Sequence, residues 1–180
     1  MNKKYVLVVI VIIIFAVMQT SMMPYMLILN NTPDLLLVFL CIMAYFRGNM
    51  AGMFLGLIGG VILDILIGRS IGFYGLIFMT ACFAMGFFPR KSIKDSLLIT
   101  LMMTASIVVP AKLIIYFLNK MVAFFASGME VFSAELGVAL TRKILPSLLY
   151  DLIIIVPVYY LCKGLDGFLD KDKKLIGGRF

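Results

Sequence analysis

The sequence predicts an all-α integral membrane protein of about six transmembrane helices. The chain has 180 residues, of which 63% are hydrophobic, and its mean hydropathy is +1.12. Its apolar runs reach the ~20 residues needed to cross ~30 Å of hydrocarbon. Between them, a small or polar residue recurs every fourth position through Gly48, Gly52, Gly56, Gly60, Asp64, Gly68 and Gly72. In a soluble helix each interior Gly costs about 0.5–1 kcal/mol against Ala, so such a ladder needs an external reason. In lipid, small-xxx-small spacing lets two backbones approach closely, and a step of four drifts only about 40° per turn, which keeps the stripe on one face as a groove. Short loops and the lack of a polar segment make residues 1–180 one polytopic domain.

The first span is read as Tyr5–Met23. Lys3 and Lys4 before an apolar run resemble a signal peptide, but the core exceeds the usual ~7–15 residues and no A-x-A site precedes Pro24, so a retained helix is expected. The second span, Pro33–Phe46, is short. Thr32, Pro33 and Asp34 read as an N-cap, a proline at the first helical position and an acid in the first turn. That helix is expected to begin below the membrane surface or to lie where the bilayer is thinned. Met50–Ile67 carries the ladder, and Ile71–Phe88 and Leu97–Leu118 follow. Pro110 should kink the fifth span and free a carbonyl near Ser106. The sixth, Ile144–Cys162, has Pro146 and Pro157 at its two ends, with the same effect expected. Between the last two spans, Val122, Phe125, Met129, Phe132, Leu136 and Leu140 recur at helical spacing among Ser127, Glu130, Ser133 and Glu135. This predicts an amphipathic helix within residues 121–140, on the outer lipid surface or against a partner.

Charge sets the orientation. With the N-terminus inside, Lys3, Lys4, Arg47, Arg90, Lys91, Lys94, Lys163, Lys171, Lys173, Lys174 and Arg179 fall on the cytoplasmic side, against Arg69, Lys120, Arg142 and Lys143 outside. Both termini are therefore expected in the cytoplasm. The net charge of +7 and pI of about 9.4 reflect this topology and attraction to anionic headgroups rather than nucleic-acid binding.

Catalysis and metal or cofactor binding are not expected. The chain has no His, which removes His-based triads and His metal ligands. Cys41, Cys82 and Cys162 lie in or beside apolar spans without C-x-x-C spacing and read as small buried hydrophobes. No Walker A loop or G-x-S-x-G elbow occurs, and glycines inside an apolar helix cannot cradle a phosphate. Three intramembrane charges remain: Asp64, Lys112 and Asp151, each in the outer half of its span. Their matched depth suggests a clamp in which Lys112 pairs with Asp64 or Asp151, a functional polar pocket, or snorkelling of Lys112 to the interface.

The run Pro33-Asp34-Leu35-Leu36-Leu37, followed by Gly52, Gly56, Gly60 and Asp64 and then Gly68 and Gly72, resembles the rod shape-determining protein MreD family. The resemblance implies a non-enzymatic, multi-pass subunit of the bacterial cell membrane, partnered by the single-span protein MreC. It implies links to the filament protein MreB, the glycosyltransferase RodA and a class B penicillin-binding transpeptidase. It also implies a fold resembling the substrate-binding S components of energy-coupling-factor vitamin transporters. Lys112 and Asp151 match no family motif. Two functions compete: an assembly subunit whose Gly groove at Gly48, Gly52, Gly56 and Gly60 holds its own neighbour or a partner helix, and an S component binding a solute at Asp64, Lys112 and Asp151. The second expects an A-x-x-x-A pair in the first helix, where Tyr5–Met23 has a single Ala16.

Overall fold

The computed structural model describes residues 3–22, 34–68, 72–88, 97–127 and 145–176. Within them the chain forms six helices: α1 (Lys3–Met22), α2 (Leu35–Arg47), α3 (Asn49–Ile67), α4 (Phe73–Gly86), α5 (Leu97–Ser127) and α6 (Leu145–Ile176). Each corresponds to one expected span. The fifth and sixth are longer than expected, because their helical hydrogen bonding continues past the apolar stretch. Pro33 and residues 128–140 lie outside the described residues, and 121–127 extend α5. Pro110 and Pro157 lie within α5 and α6. Pro146 is instead the second residue of α6, where a missing N–H breaks no helical bond.

At the centre stands α2. Its sequence, LLLVFLCIMAYFR, is apolar on every side, and such a helix must be covered all round. Leu36–Phe46 are all buried, with α1, α3, α4, α5 and α6 packed around them. Phe15 of α1 stacks on Phe39 at 4.8 Å, and Phe46 meets Tyr159 of α6 at 6.0 Å between ring centroids. Thirteen residues of helix span only about 20 Å, so α2 is shorter than the hydrocarbon core of a typical bilayer. Its neighbours shield it from lipid, and the length mismatch is confined to its ends.

The peripheral helices show the opposite pattern. Residues Asn49–Ile67 of α3 and Thr100–Leu118 of α5 are long and apolar enough to cross a membrane, and both leave most of their surface outside the bundle. Val6–Ser21, Leu35–Arg47 and Phe73–Gly86 are shorter apolar stretches.

Candidate functional site

The α3–α4 hairpin follows from the glycines. Down its length the antiparallel helices touch at Asn49 with Gly86, Gly52 with Cys82, Gly56 with Phe78, and Gly60 with Gly75. A Cβ at Gly60 would stand 2.5 Å from Gly75 Cα and from the Tyr74 carbonyl oxygen, and one at Gly56 would strike the Phe78 carbonyl. Gly52 lies against α2 as well, at Ala44, and Gly59 faces α2 at Leu40. The groove of α3 is thus filled by α4 and α2 of the same chain.

Gly48, expected in the groove, belongs to a different device. With φ of 92° it joins α2 to α3, a conformation open to Gly at little cost. Gly68 and Gly72, at φ of 70° and 98°, end α3 and begin α4 in the same region. The four-residue repeat therefore has two causes: close packing at Gly52, Gly56 and Gly60, and turn geometry at Gly48, Gly68 and Gly72.

Asp64 acts at the second turn. It is 2% exposed, and its carboxylate accepts the N–H groups of Gly72 (2.9 Å), Tyr74 (3.0 Å) and Gly75 (3.1 Å). A helix begins with N–H groups that lack intrahelical partners, and its N-terminal dipole favours a negative charge. α4 has 14 residues and spans about 21 Å. Among apolar helices such an N-terminus finds few partners, and a carboxylate from α3 supplies them.

Lys112 and Asp151 come together as expected, but Asp64 is seated elsewhere, on α4. The third member of their cluster is Asp34. Lys112 Nζ lies 2.5 Å from Asp151 Oδ2 and 3.4 Å from Asp34 Oδ2, with the Lys112 and Asp151 side chains 7% and 3% exposed. Asp151 Oδ1 accepts the backbone N–H of Asp34 at 3.1 Å. Gln19 of α1 donates to Asp34 Oδ1 at 3.3 Å and accepts the N–H of Leu36 at 3.0 Å. Side chains from α1 and α6 therefore cap α2 as Asp64 caps α4, and Lys112 of α5 neutralises the carboxylates that gather there. At the other end of α2, Arg47 Nε lies 3.0 Å from Asp166 of α6, so α2 and α6 run side by side in one direction, tied at both ends.

Sequence reasoning placed Asp34 only as a helix start and missed Gln19. The available signal was the shortness of the second span, since a helix that ends inside a bilayer needs partners from its neighbours. Among the described residues no group of three His, Cys, Asp or Glu side chains is arranged to hold a metal ion.

Apolar helices with internally capped ends and paired charges define an all-helical membrane protein. The family model for the rod shape-determining protein MreD matches residues 1–165, and the chain belongs to the MreD family. Its role therefore lies in the machinery that determines rod shape, within a structural family whose members work in a protein complex. No curated protein and no solved structure matches the chain, so the expected likeness to transporter S components has no support.

Proposed function

We propose that this protein is a non-catalytic subunit of the cell-elongation machinery, which binds MreC in the membrane and through it is linked to MreB, RodA and a class B transpeptidase. In this reading residues 1–180 form one domain, the six helices are six passes through the cell membrane, and both termini are cytoplasmic. The single observation that carries the reading is that the interior is already occupied by the chain itself. The groove of α3 holds α4, Asp64 caps α4, and Lys112 lies between Asp34 and Asp151. What remains for recognition is the apolar exterior, which suits a partner that lies in the bilayer. A solute-binding subunit would instead keep Asp64, Lys112 and Asp151 around an open pocket.

Affinity purification of the tagged protein from native membranes in mild detergent, followed by mass spectrometry, tests the proposal. Retention of MreC with cell-wall synthases is expected. Retention of a transmembrane coupling protein with paired ATPases, and no MreC, would overturn it.

A further inference from the structure

Buried polar atoms without a hydrogen bond mark where the chain leaves its own chemistry unmatched. Among the described residues these are the hydroxyls of Tyr45, Thr104 and Tyr116, one oxygen of Asp151, and Nε and Nη2 of Arg47. An unmatched hydroxyl is a modest cost, and an unmatched charged group a larger one. The Asp151 oxygen meets Lys112 in a close ion pair. Arg47 Nε lies 3.0 Å from Asp166 without hydrogen-bond alignment, and Nη2 meets no acceptor. Of the charged side chains in this set, Arg47 is the one the fold leaves underserved.

A second cation stands beside it. Tyr159, Lys163 and Asp166 recur at i, i+4 and i+7 and so share one face of α6. Phe46 packs on Tyr159, Lys163 Nζ lies 6.0 Å from the centre of the Tyr159 ring, and Asp166 meets Arg47. The Arg47 side chain therefore runs outward along α6, past the level of Lys163, as a snorkelling arginine does at a membrane surface. The stretch of α3 long and apolar enough to cross a membrane begins at Asn49, and the apolar run of α6 ends at the buried Cys162. Both cations thus stand at the same edge of the hydrocarbon. Against the one carboxylate of Asp166 they leave a single positive charge. A guanidinium offers a fixed fork of N–H donors that matches a phosphate, and a lysine adds a mobile point charge. On the bilayer side of Lys163, Val156 and Tyr160 form an exposed stripe of α6 along which an acyl chain can lie.

We infer that Arg47 and Lys163, where α2 ends against α6, bind a phosphate group, that of an anionic phospholipid in the cytoplasmic leaflet. The one negative charge of a phosphodiester balances the site, whereas a zwitterionic headgroup brings an ammonium that competes with it. Asp166 holds the guanidinium in place without neutralising both cations. The leaflet rests on the orientation in the proposed function, and nothing in the inference depends on MreC.

The test titrates the full-length protein in mild detergent with phosphatidylglycerol, phosphatidylcholine or inorganic phosphate, and counts bound lipid by native mass spectrometry. We expect one phosphatidylglycerol to bind several-fold more tightly than phosphatidylcholine. Lys163→Gln, a change to an exposed side chain, should remove most of that preference, and Arg47→Gln should do the same. Lys163→Gln carries the test if Arg47→Gln does not fold. Asp166→Asn should tighten binding of phosphatidylglycerol, an effect that a merely structural Arg47 pair would not produce. Equal binding of the two lipids, or a preference that both Lys163→Gln and Arg47→Gln leave intact, would overturn the site. Displacement of phosphatidylglycerol by millimolar inorganic phosphate would overturn the lipid and assign the site to a soluble phosphate. Because MreC is absent from this titration, its failure leaves the proposed function to stand or fall on affinity purification.

Discussion

Asp64 and Gly68 lie one helical turn apart and contribute through different physics. Three backbone N–H groups converge on Asp64, so Asp64→Ala strands buried donors and should cost about 1–3 kcal/mol. Asp64→Asn keeps one acceptor oxygen and should recover part of that loss, as thermal unfolding in detergent would reveal. At Gly68 a Cβ meets nothing within 4 Å, yet φ is 70°. Gly68→Ala should therefore cost about 1–2 kcal/mol through the left-handed backbone alone. An unchanged midpoint would show that α3 ends differently. In the sequence these positions share one four-residue repeat, and its spacing alone could not separate packing from turn geometry. A positive φ depends on where a helix ends, and helix ends are what an apolar pattern marks least sharply.

At the scale of elements, α2 is held by charge at both ends, and the two ends should differ in strength. Lys112→Met would leave Asp34 and Asp151 facing each other in a buried site, a clear loss of stability. Adding Asp151→Asn should recover much of it, giving strong non-additivity, whereas adding Asp64→Asn should be additive because Asp64 caps a different helix. Additivity in the first pair would contradict the cluster. Arg47 and Asp166 are less enclosed, at 25% and 14% side-chain exposure, so Asp166→Ala should cost less than opening the Lys112 cluster, and less still in high salt. All six helices were legible from hydropathy, with α5 and α6 running on beyond their apolar cores. The pairing of Asp34 with Asp151, 117 residues later, was not, because nothing local to either residue encodes the packing of α2 beside α6. The central place of α2 did leave a trace in its uniformly apolar sequence.

For the whole molecule, a helix shorter than the hydrocarbon core is stable when longer neighbours surround it and supply the bonds its N-terminus lacks. α1, α3, α5 and α6 supply that cover and those caps to α2 and α4. The glycines and buried charges accordingly hold the fold, and in the proposed function recognition falls to the exterior. Gly56→Ala tests this division most directly, since its methyl would press on the Phe78 backbone while leaving every exterior residue in place. The variant and the parent chain would be compared by thermal unfolding in detergent and by retention of MreC per folded molecule at low temperature. The account predicts a lower unfolding midpoint, from an overpacking cost of about 1–3 kcal/mol, with retention undiminished. An unchanged midpoint with MreC lost would contradict it and return the groove of α3 to a partner.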